Sequence, residues 1–305
     1  MTERGRRVSA TDREVVGALE IGGTHVSAAL VSLDERAIDP AGVQRDALAA
    51  DGTGDELVRS IVTAARRLSR PDVTRWGIAT PGPFDYARGV SRIRGVAKLD
   101  ALYGADLRAE LSAAVGVKPT AVSFINDASA FLIGEWWAGK AHGDGRSIGV
   151  TLGTGLGSAF SEDGAIVRSG DRVPPGGELY RLRFRGADVE RTISRAALRA
   201  AYGTGLDDDV DVEQIAERAH AGEPAGGRVF DDLGTALGQF LTPWLRAFDP
   251  SCLVVGGSIA RSWGLFERSL RAELEPVAGL RTVTVAEHID DSALLGAAYY
   301  AASQT

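Results

Sequence analysis

Cysteine is almost absent from this sequence, since Cys252 is the single cysteine among 305 residues. One cysteine excludes an intrachain disulfide and any zinc site that needs several cysteines, and it suits a reducing compartment. Apolar runs are also short, because none approaches the roughly 18 residues of a membrane span. Residues 1–14 lack the apolar core of a signal peptide. We therefore expect a cytoplasmic protein without a membrane partner, beginning with a disordered tail over residues 1–14.

Basic residues are too few and too scattered for a nucleic-acid surface. The chain carries 34 lysines and arginines against 41 acidic residues, a formal net charge of -7. We therefore expect no nucleic-acid partner. Hydrophobic residues make up 44% and charged residues 25%, which is the ordinary balance of a globular protein. The length is sufficient for two domains.

Glycine, in contrast, is abundant at 38 residues, and three glycine turns follow apolar segments of the chain. These turns contain Gly22-Gly23-Thr24, Gly153-Thr154-Gly155 with Gly157, and Gly256-Gly257-Ser258. A glycine turn between two strands is typical of a plain hairpin, but it can also leave convergent backbone N–H groups that bind phosphate. The residues alone leave both interpretations open. The first two turns each have apolar segments on both sides, which suggests a duplicated architecture.

The segment Val122–Trp137 predicts a strand that turns directly into a helix. A short apolar run meets Asn126 and Asp127, after which apolar residues recur at helical spacing. This pattern places a carboxylate at the carboxyl end of a strand, where open α/β sheets bind ligands. The helix N-terminus favours negative charge and should help to keep Asp127 ionised. The alternative is that one of the two residues only caps the helix.

The remaining pattern is that of a mixed α/β protein. Helices are predicted over Asp55–Leu68, Asp106–Val115, Arg228–Phe248 and Ser292–Ala302, and strands over Arg75–Thr80 and Cys252–Val255. The run Pro81-Gly82-Pro83 predicts a rigid loop. Pro174–Ile193 predicts an irregular stretch that carries Glu178, Arg181 and Glu190. Glu20 stands in an otherwise apolar strand, so we expect it to face solvent or a ligand.

Six motifs share one order with a known family. They are EIGGTH (20–25), GIATPGPFD (77–85), FINDASA (124–130), VTLGTGLGSA (150–159), GGEL (176–179) and VVGGSI (254–259). From about Val15 onward the chain resembles the ROK family of sugar kinases, which have the actin-like/hexokinase ATPase fold. The resemblance implies a two-lobed, ribonuclease H-like α/β protein with a central cleft. The implied small domain takes residues 15–121 and 291–305, and the large domain takes residues 122–290.

The resemblance also implies roles for the residues in these motifs. Asp127 matches the catalytic base of the family, and Glu20 stands where a carboxylate is expected near Mg²⁺ and its waters. ATP would be bound by the glycine turns at Gly22, Gly23, Thr24, Gly153, Thr154, Gly155, Gly157, Gly256, Gly257 and Ser258. The sugar would be bound by Asn126, Glu178, Glu190, Pro81 and Gly82, with Arg181 and Lys98 beside them.

The sequence departs from the family pattern at several of these positions. Family members usually have Asp where this chain has Glu20, which is one methylene longer. The family commonly continues after the GGE segment with Gly-His and a zinc-binding cysteine cluster, whereas this chain continues with Leu179-Tyr180-Arg181. We therefore expect no structural zinc. Arg181 falls at the position of the histidine, and Lys98 about where the family often has a sugar-contacting Asn. Both changes are cationic, which suggests an acceptor other than plain glucose.

These expectations describe an ATP- and Mg²⁺-dependent kinase that phosphorylates the primary hydroxymethyl group of a hexose. Glucose is the default acceptor, and an amino sugar or a C7-cyclitol of secondary metabolism is the alternative. A non-catalytic sugar sensor is a second alternative, but the family's repressors carry a helix-turn-helix domain that a 14-residue tail is too short to hold. An actin-like structural ATPase would leave Asn126, Asp127 and Glu178 without a role. We also expect a homodimer, because similar proteins are often dimers.

Overall fold

The computed structural model describes residues 14–39, 42, 44–48, 52–94, 97–203 and 210–304. Residues 1–13 of the tail predicted at 1–14, and residues 204–209, lie outside the described residues. The described strands are β1 Val15–Ile21, β2 His25–Ser32, β3 Ala37–Ile38, β4 Gln44–Ala47, β5 Trp76–Thr80, β6 Phe84–Asp85, β7 Val90–Ser91, β8 Val122–Asn126, β9 Arg146–Leu152, β10 Leu156–Glu162, β11 Ala165–Ile166, β12 Arg183–Phe184, β13 Ala187–Asp188, β14 Cys252–Gly256 and β15 Thr282–Val285. The described helices are α1 Gly54–Leu68, α2 Leu107–Val115, α3 Asp127–Ala138, α4 Arg195–Gly203, α5 Val212–His220, α6 Pro224–Phe248, α7 Trp263–Leu274 and α8 Ser292–Ser303.

Contacts divide the chain into two compact units. The first comprises Met1–Ile125 and Ala297–Thr305, and the second comprises Asn126–Gly296. The division therefore falls at the end of strand β8 and inside helix α8.

The first unit is built on a sheet that, within the described residues, has six strands in the order β3-β2-β1-β5-β8, with β4 also paired to β2. Strands β1 and β2 form the antiparallel hairpin predicted around the first glycine turn. Strand β5 runs parallel to β1, with Glu20 opposite Ala79. The carboxyl ends of β1 and β5 therefore lie side by side, which is where parallel strands present their following loops.

Helix α1 shows how local sequence fixes an element of this unit. The side chain of Thr53 accepts a hydrogen bond from the N–H of Glu56, and the Glu56 carboxylate accepts one from the N–H of Thr53. This capping box satisfies two N–H groups that a helix start leaves unpaired. Apolar residues of the helix, including Leu57 and Ile61, are fully buried. The helix is thus held by its cap at one end and by its buried face along its length.

The second unit repeats the same plan. Its sheet, in the part of the chain that the structure describes, has the order β11-β10-β9-β14-β15. Strands β9 and β10 form an antiparallel hairpin around the second glycine turn, and β14 runs parallel to β9. Helix α6 buries an apolar face that includes Phe230, Leu237 and Phe248. Each sheet therefore starts from a glycine hairpin and continues into a parallel strand.

Helices α3 and α8 approach closely in the second unit because glycines face each other's backbone. A Cβ on Gly134 would overlap the carbonyl oxygen of Ser292, and a Cβ on Gly296 would overlap that of Ala130. The two helices can make this contact only without side chains at both positions. The start of α3, which carries Asp127, is thereby fixed against α8.

Several element boundaries differ from those expected. Helix α6 begins at Pro224, four residues before the predicted start, because a proline is well suited to the first helical turn. Asp106 caps helix α2 through a bond from the N–H of Ala109 and does not belong to it. The stretch predicted as irregular also contains short 3₁₀ turns and the paired strands β12 and β13. No helix among the described residues is long and apolar enough to cross a bilayer.

Candidate active site

Asn126 and Asp127 lie where strand β8 passes into helix α3. Asn126 caps the helix, because its Oδ1 accepts hydrogen bonds from the N–H and the hydroxyl of Ser129 at 3.1 and 3.3 Å. Its Nδ2 donates to Oδ1 of Asp127 at 2.9 Å, and the N–H of Ala128 donates to the same oxygen at 2.8 Å. Oδ2 of Asp127 makes no hydrogen bond with another described residue. One residue therefore caps the helix and the next keeps a carboxylate oxygen available.

The protonation equilibrium of Asp127 differs from the expectation. Asp127 is half-buried, and the protein packed around its carboxylate raises its pKa by desolvation. The N–H groups of Ala128 and of Asp127 itself, and the amide of Asn126, lower the pKa but do not offset this effect. The helix N-terminus thus acts in the predicted direction, but burial outweighs it. A carboxylate with a raised pKa is a stronger base once it is ionised.

The second and third glycine turns lie together at the ends of strands β9 and β14. Gly256 is the parallel partner of Thr151, the residue before Leu152 at the end of β9. Gly257 has φ +84°, and a Cβ there would overlap the backbone of Leu152. A Cβ on Gly153 would stand 3.7 Å from Oγ of Ser258. The structure therefore brings the predicted nucleotide residues of the second unit into one place.

This glycine turn also lies beside the start of helix α3. A Cβ on Gly157 would stand 3.1 Å from the Cβ of Ala128, the residue after Asp127. The turn is closed by a 3.0 Å bond from the N–H of Gly153 to the carbonyl oxygen of Gly155. Its place is fixed further by the N–H of Arg195, which donates to the carbonyl oxygen of Gly153 at 2.9 Å.

Glu190 contacts the same glycine turn. Its Oε1 accepts a 2.9 Å hydrogen bond from the N–H of Leu156, and a Cβ on Gly155 would overlap this oxygen. The hydroxyl of Ser194 donates to the backbone carbonyl oxygen of Glu190 at 2.6 Å. One predicted sugar residue is therefore held against a predicted phosphate loop.

Glu178 and Arg181 pair with each other. Nε of Arg181 lies 2.5 Å from Oε2 of Glu178, and the same nitrogen donates to the hydroxyl of Tyr180 at 3.0 Å. The hydroxyl of Tyr180 and the charge of Glu178 raise the pKa of Arg181. The structure therefore shows Arg181 paired with a neighbouring acid. Because the pair is exposed, its contribution to stability is small.

Two buried polar residues that the sequence analysis did not identify tie together distant segments of the second unit. Ser158 is buried in β10, where its hydroxyl donates to the carbonyl oxygen of Gly177 at 2.6 Å and accepts from the N–H of Leu179 at 2.9 Å. Glu135 is fully buried in α3 and accepts bonds from Lys140, Glu287 and His288 N–H groups and from Ser292. Both residues could have been found in the sequence, because each is a polar residue at a position where the apolar periodicity predicts the core.

The first glycine turn joins β1 to β2 in the first unit. The N–H of Gly22 donates to the carbonyl oxygen of His25 at 2.9 Å, and nothing stands within 4 Å of a Cβ on Gly23. Oγ1 of Thr24 lies 3.1 Å from Nδ1 of His25. Glu20 is half-buried and lies two residues before the turn. The turn is thus a hairpin, and the space beside Gly23 is not filled by other described residues.

The PGP loop follows β5, the neighbour of β1. Pro81 and Gly82 are half-buried, and the bond between Gly82 and Pro83 is cis. The hydroxyl of Tyr86 donates to the carbonyl oxygen of Thr80 at 3.2 Å, which anchors the start of the loop. Parallel pairing of β1 and β5 brings this loop to the same sheet edge as Glu20. The side chain of Lys98 lies outside the described part of the chain.

No group of three or more His, Cys, Asp or Glu side chains among the described residues is arranged to hold a metal ion. A metal bound mainly by waters and phosphate oxygens would not require such a group.

The two units, each with a glycine hairpin leading into parallel strands, define an actin-like ATPase fold, and the predicted fold class is confirmed. The model of the ROK family matches residues 16–178 and 183–304. The chain therefore belongs to the ROK family, as its motifs indicated.

Relatives in this family match the chain over most of its length. A glucokinase of Thermotoga maritima is 26% identical over 307 residues, which cover 92% of this chain and 95% of the relative. A β-glucoside kinase of Klebsiella pneumoniae is 27% identical over 295 residues, covering 93% and 95%. The crystal structure of a ROK family glucokinase from Streptomyces griseus, in complex with glucose and AMPPNP, matches with a TM-score of 0.76 at 24% identity, covering 94% of this chain and 98% of that one.

Proposed function

We propose that this protein is an ATP-dependent kinase that phosphorylates the primary hydroxymethyl group of a hexose-type sugar. The observation that supports this function most directly is the geometry of Asp127. Its Oδ1 is held by two donors, its Oδ2 makes no hydrogen bond with another described residue, and the nearby glycine turn can offer backbone N–H groups to phosphate. Membership of the ROK family and similarity to a glucokinase and a β-glucoside kinase support the same conclusion.

In the proposed reaction, Oδ2 of Asp127 accepts the proton of the sugar hydroxyl. The alcohol oxygen forms a bond to the γ-phosphorus of ATP while the bond between that phosphorus and the ADP oxygen breaks. Phosphoryl transfer requires mainly that the reactants are positioned and that developing charge is neutralised. Asn126 contributes by orienting Asp127, because its Nδ2 fixes Oδ1 and leaves the other oxygen for the substrate. The raised pKa of Asp127 matches the work of a general base.

We assign nucleotide binding to the glycine turns. Gly153, Thr154, Gly155 and Gly157 would hold phosphate oxygens through backbone N–H groups, and Gly256, Gly257 and Ser258 would contact the adenosine. Gly22, Gly23 and Thr24 would form the other phosphate-binding turn. The proximity of Gly153 to Ser258 supports the first two assignments.

Glu20 fits a magnesium site of the kind that ATP-dependent kinases use. One carboxylate reaching the ion through water is sufficient, because Mg²⁺ keeps several of its waters. Glu20 lies at the end of a buried strand, beside an open glycine turn, which suits that role. When bound, Mg²⁺ neutralises charge on the phosphate oxygens.

The acceptor would be bound by Asn126, Glu178, Glu190, Pro81 and Gly82, with Arg181 and Lys98 modifying the choice of sugar. Carboxylates suit sugar hydroxyls because they accept several hydrogen bonds. Arg181, paired with Glu178, and Lys98 are the two cationic departures from the family pattern, and an amino sugar or a cyclitol is therefore the alternative acceptor. The predicted homodimer, cytoplasmic location and domain boundaries at 121/122 and 290/291 stay predictions.

The test is ADP release with a panel of acceptors. The purified protein, with ATP and Mg²⁺, would be given glucose, mannose, N-acetylglucosamine, glucosamine and a cyclitol, and the position of the phosphate on the product would be found by NMR. Sugar-dependent ADP release with phosphate on the primary hydroxyl would support the proposal. ATP hydrolysis that no acceptor stimulates would contradict it. Specific sugar binding without any turnover would favour the sensor.

A further inference from the structure

The second unit contains a cavity of about 330 Å³ whose lining includes none of the residues assigned above. It is formed by helix α4, helix α6 and the segment that joins β12 to α4. Its apolar lining includes Leu198, Val229 and Leu233, and Thr192 and Thr235 add hydroxyl groups. The volume falls within the range of about 300–1,000 Å³ that is usual for small-molecule sites.

Three charged side chains line this cavity. Arg185 donates to Oε1 of Gln239 at 2.7 Å, and its guanidinium lies 4.8 Å from the ring centroid of Phe184. Arg191 and Asp232 make no ion pair or side-chain hydrogen bond within the part of the chain that the structure describes. Two guanidinium groups against one carboxylate give the lining a net positive charge. This charge stands out in a chain whose formal net charge is -7.

We propose that this cavity binds a small organic carboxylate with an apolar tail. The carboxylate would pair with Arg191, whose planar guanidinium can bind both oxygens at once. The tail would cover Leu198, Val229 and Leu233, which supplies hydrophobic binding energy. Asp232 disfavours a second negative charge, so a monoanion is preferred to a dianion.

The cavity is connected to the glycine turn by one short segment. Glu190 precedes Arg191, and its side chain accepts from the N–H of Leu156. The hydroxyl of Ser194 donates to the carbonyl oxygen of Glu190 and accepts from the N–H of Ala197, itself a cavity residue. The N–H of Arg195 donates to the carbonyl oxygen of Gly153. The segment thus has the glycine turn on one side and the cavity on the other, and a ligand that shifts it changes the affinity of the turn for nucleotide.

Hexanoate is a suitable probe, and hexylammonium is its cationic counterpart with the same tail. Isothermal titration of the full chain with each should give measurable binding of hexanoate and none of hexylammonium. The R191Q variant should weaken hexanoate binding by about tenfold or more, because it removes a charged hydrogen-bond donor, whereas D232N should strengthen it. R268Q is the matched control, since Arg268 is exposed on α7 and does not line the cavity. This experiment needs neither nucleotide nor sugar and stands apart from the kinase assay.

Equal binding of hexanoate and hexylammonium would overturn the binding site, and so would equal loss of hexanoate binding in R191Q and R268Q. Binding that disappears as the protein concentration rises would also overturn it, because another copy of the chain would then occupy the cavity.

The connection to the glycine turn has its own test, in which the Kd of AMPPNP is measured with and without saturating hexanoate. A change of several-fold should appear, with an equal change in the Kd of hexanoate when AMPPNP is bound. An unchanged Kd would rule out the connection.

Discussion

The side-chain amide of Asn126 donates a 2.9 Å hydrogen bond to Oδ1 of Asp127, while its carbonyl oxygen caps helix α3. One asparagine therefore fixes both the start of the helix and the orientation of the proposed base. Asp127 cannot turn its Oδ2 away without losing donors to Oδ1. The carboxylate is oriented by its neighbours in sequence.

The D127N variant should lose nearly all turnover and keep nucleotide binding. A positioned general base contributes about 10² to 10⁴ in rate, and Asn accepts no proton. The kcat would be measured by ADP release and nucleotide affinity by titration with AMPPNP. D231N is a matched control, because Asp231 is exposed on α6. A kcat for D127N within a few-fold of the unaltered protein would show that another group takes the proton.

Activity should fall as the pH is lowered through the pKa of Asp127. The base works only when ionised, so kcat/KM rises with pH through this pKa and then levels off. An ordinary aspartate has a pKa of about 3.9. Because burial raises the pKa of Asp127, the acidic limb of its pH profile should lie at higher pH than that. N126D should move the limb to higher pH, since it replaces a donor by a second carboxylate and still caps the helix. An acidic limb that is unchanged in N126D would contradict the assignment.

Gly155 and Gly153 should respond differently to replacement by alanine. A Cβ at 155 would overlap Oε1 of Glu190, whereas a Cβ at 153 would meet only an ordinary contact of 3.7 Å with Oγ of Ser258. G155A should therefore displace Glu190 and raise the KM for the acceptor about tenfold, and G153A should change it little. Steady-state kinetics with varied acceptor would measure both. Equal effects would show that Glu190 does not act from its observed position.

R181H should change the choice of acceptor more than the rate with the best one. Arg181 pairs with Glu178 at 2.5 Å, and a shorter, mostly neutral imidazole would release that carboxylate. The ratio of kcat/KM values between glucose and an amino sugar should shift by about tenfold, the scale of a single contact. R168H serves as the control, because Arg168 is exposed nearby. The same factor of change for every acceptor would place Arg181 outside the acceptor site.

E135Q should lower the stability of the protein. The Glu135 carboxylate accepts hydrogen bonds from three backbone N–H groups at 2.9, 3.1 and 3.3 Å. In glutamine the NH₂ group replaces one of the two oxygens, so at least one of these N–H groups would face another donor instead of an acceptor. Leaving a buried donor unpaired costs about 1–3 kcal/mol. Urea denaturation should report this loss, and E217Q, at an exposed site on α5, should be close to neutral. An unchanged midpoint for E135Q would mean that the loop at 287–288 readjusts.

Much of the fold could be predicted because the decisive signals are local. The two glycine hairpins and the change from strand to helix at Asn126 each follow from a few neighbouring residues. The early start of α6 was not predicted because Gly226 and Gly227 lower helix propensity. Gly226 nevertheless packs against the carbonyl oxygen of Ile215, and this tertiary contact favours the helix.

The site was less accessible to prediction because its contacts join distant segments. The bond between Glu190 and Leu156 spans 34 residues, and the bonds of Ser158 span about 20. No local pattern in the sequence predicts hydrogen bonds between residues so far apart. The net direction of the Asp127 pKa was missed for the same reason, since desolvation depends on what packs around the carboxylate.

Helix α8 has a consequence for any attempt to study the first unit by itself. Only the part of the helix from Ala297 onward belongs to that unit. This part packs directly on strand β5, because a Cβ on Gly77 would overlap the carbonyl oxygen of Ala297. An expressed fragment that stops at Ile125 would therefore present a bare sheet face where the helix belongs. During synthesis, too, the first unit stays incomplete until the ribosome has translated the whole of the second.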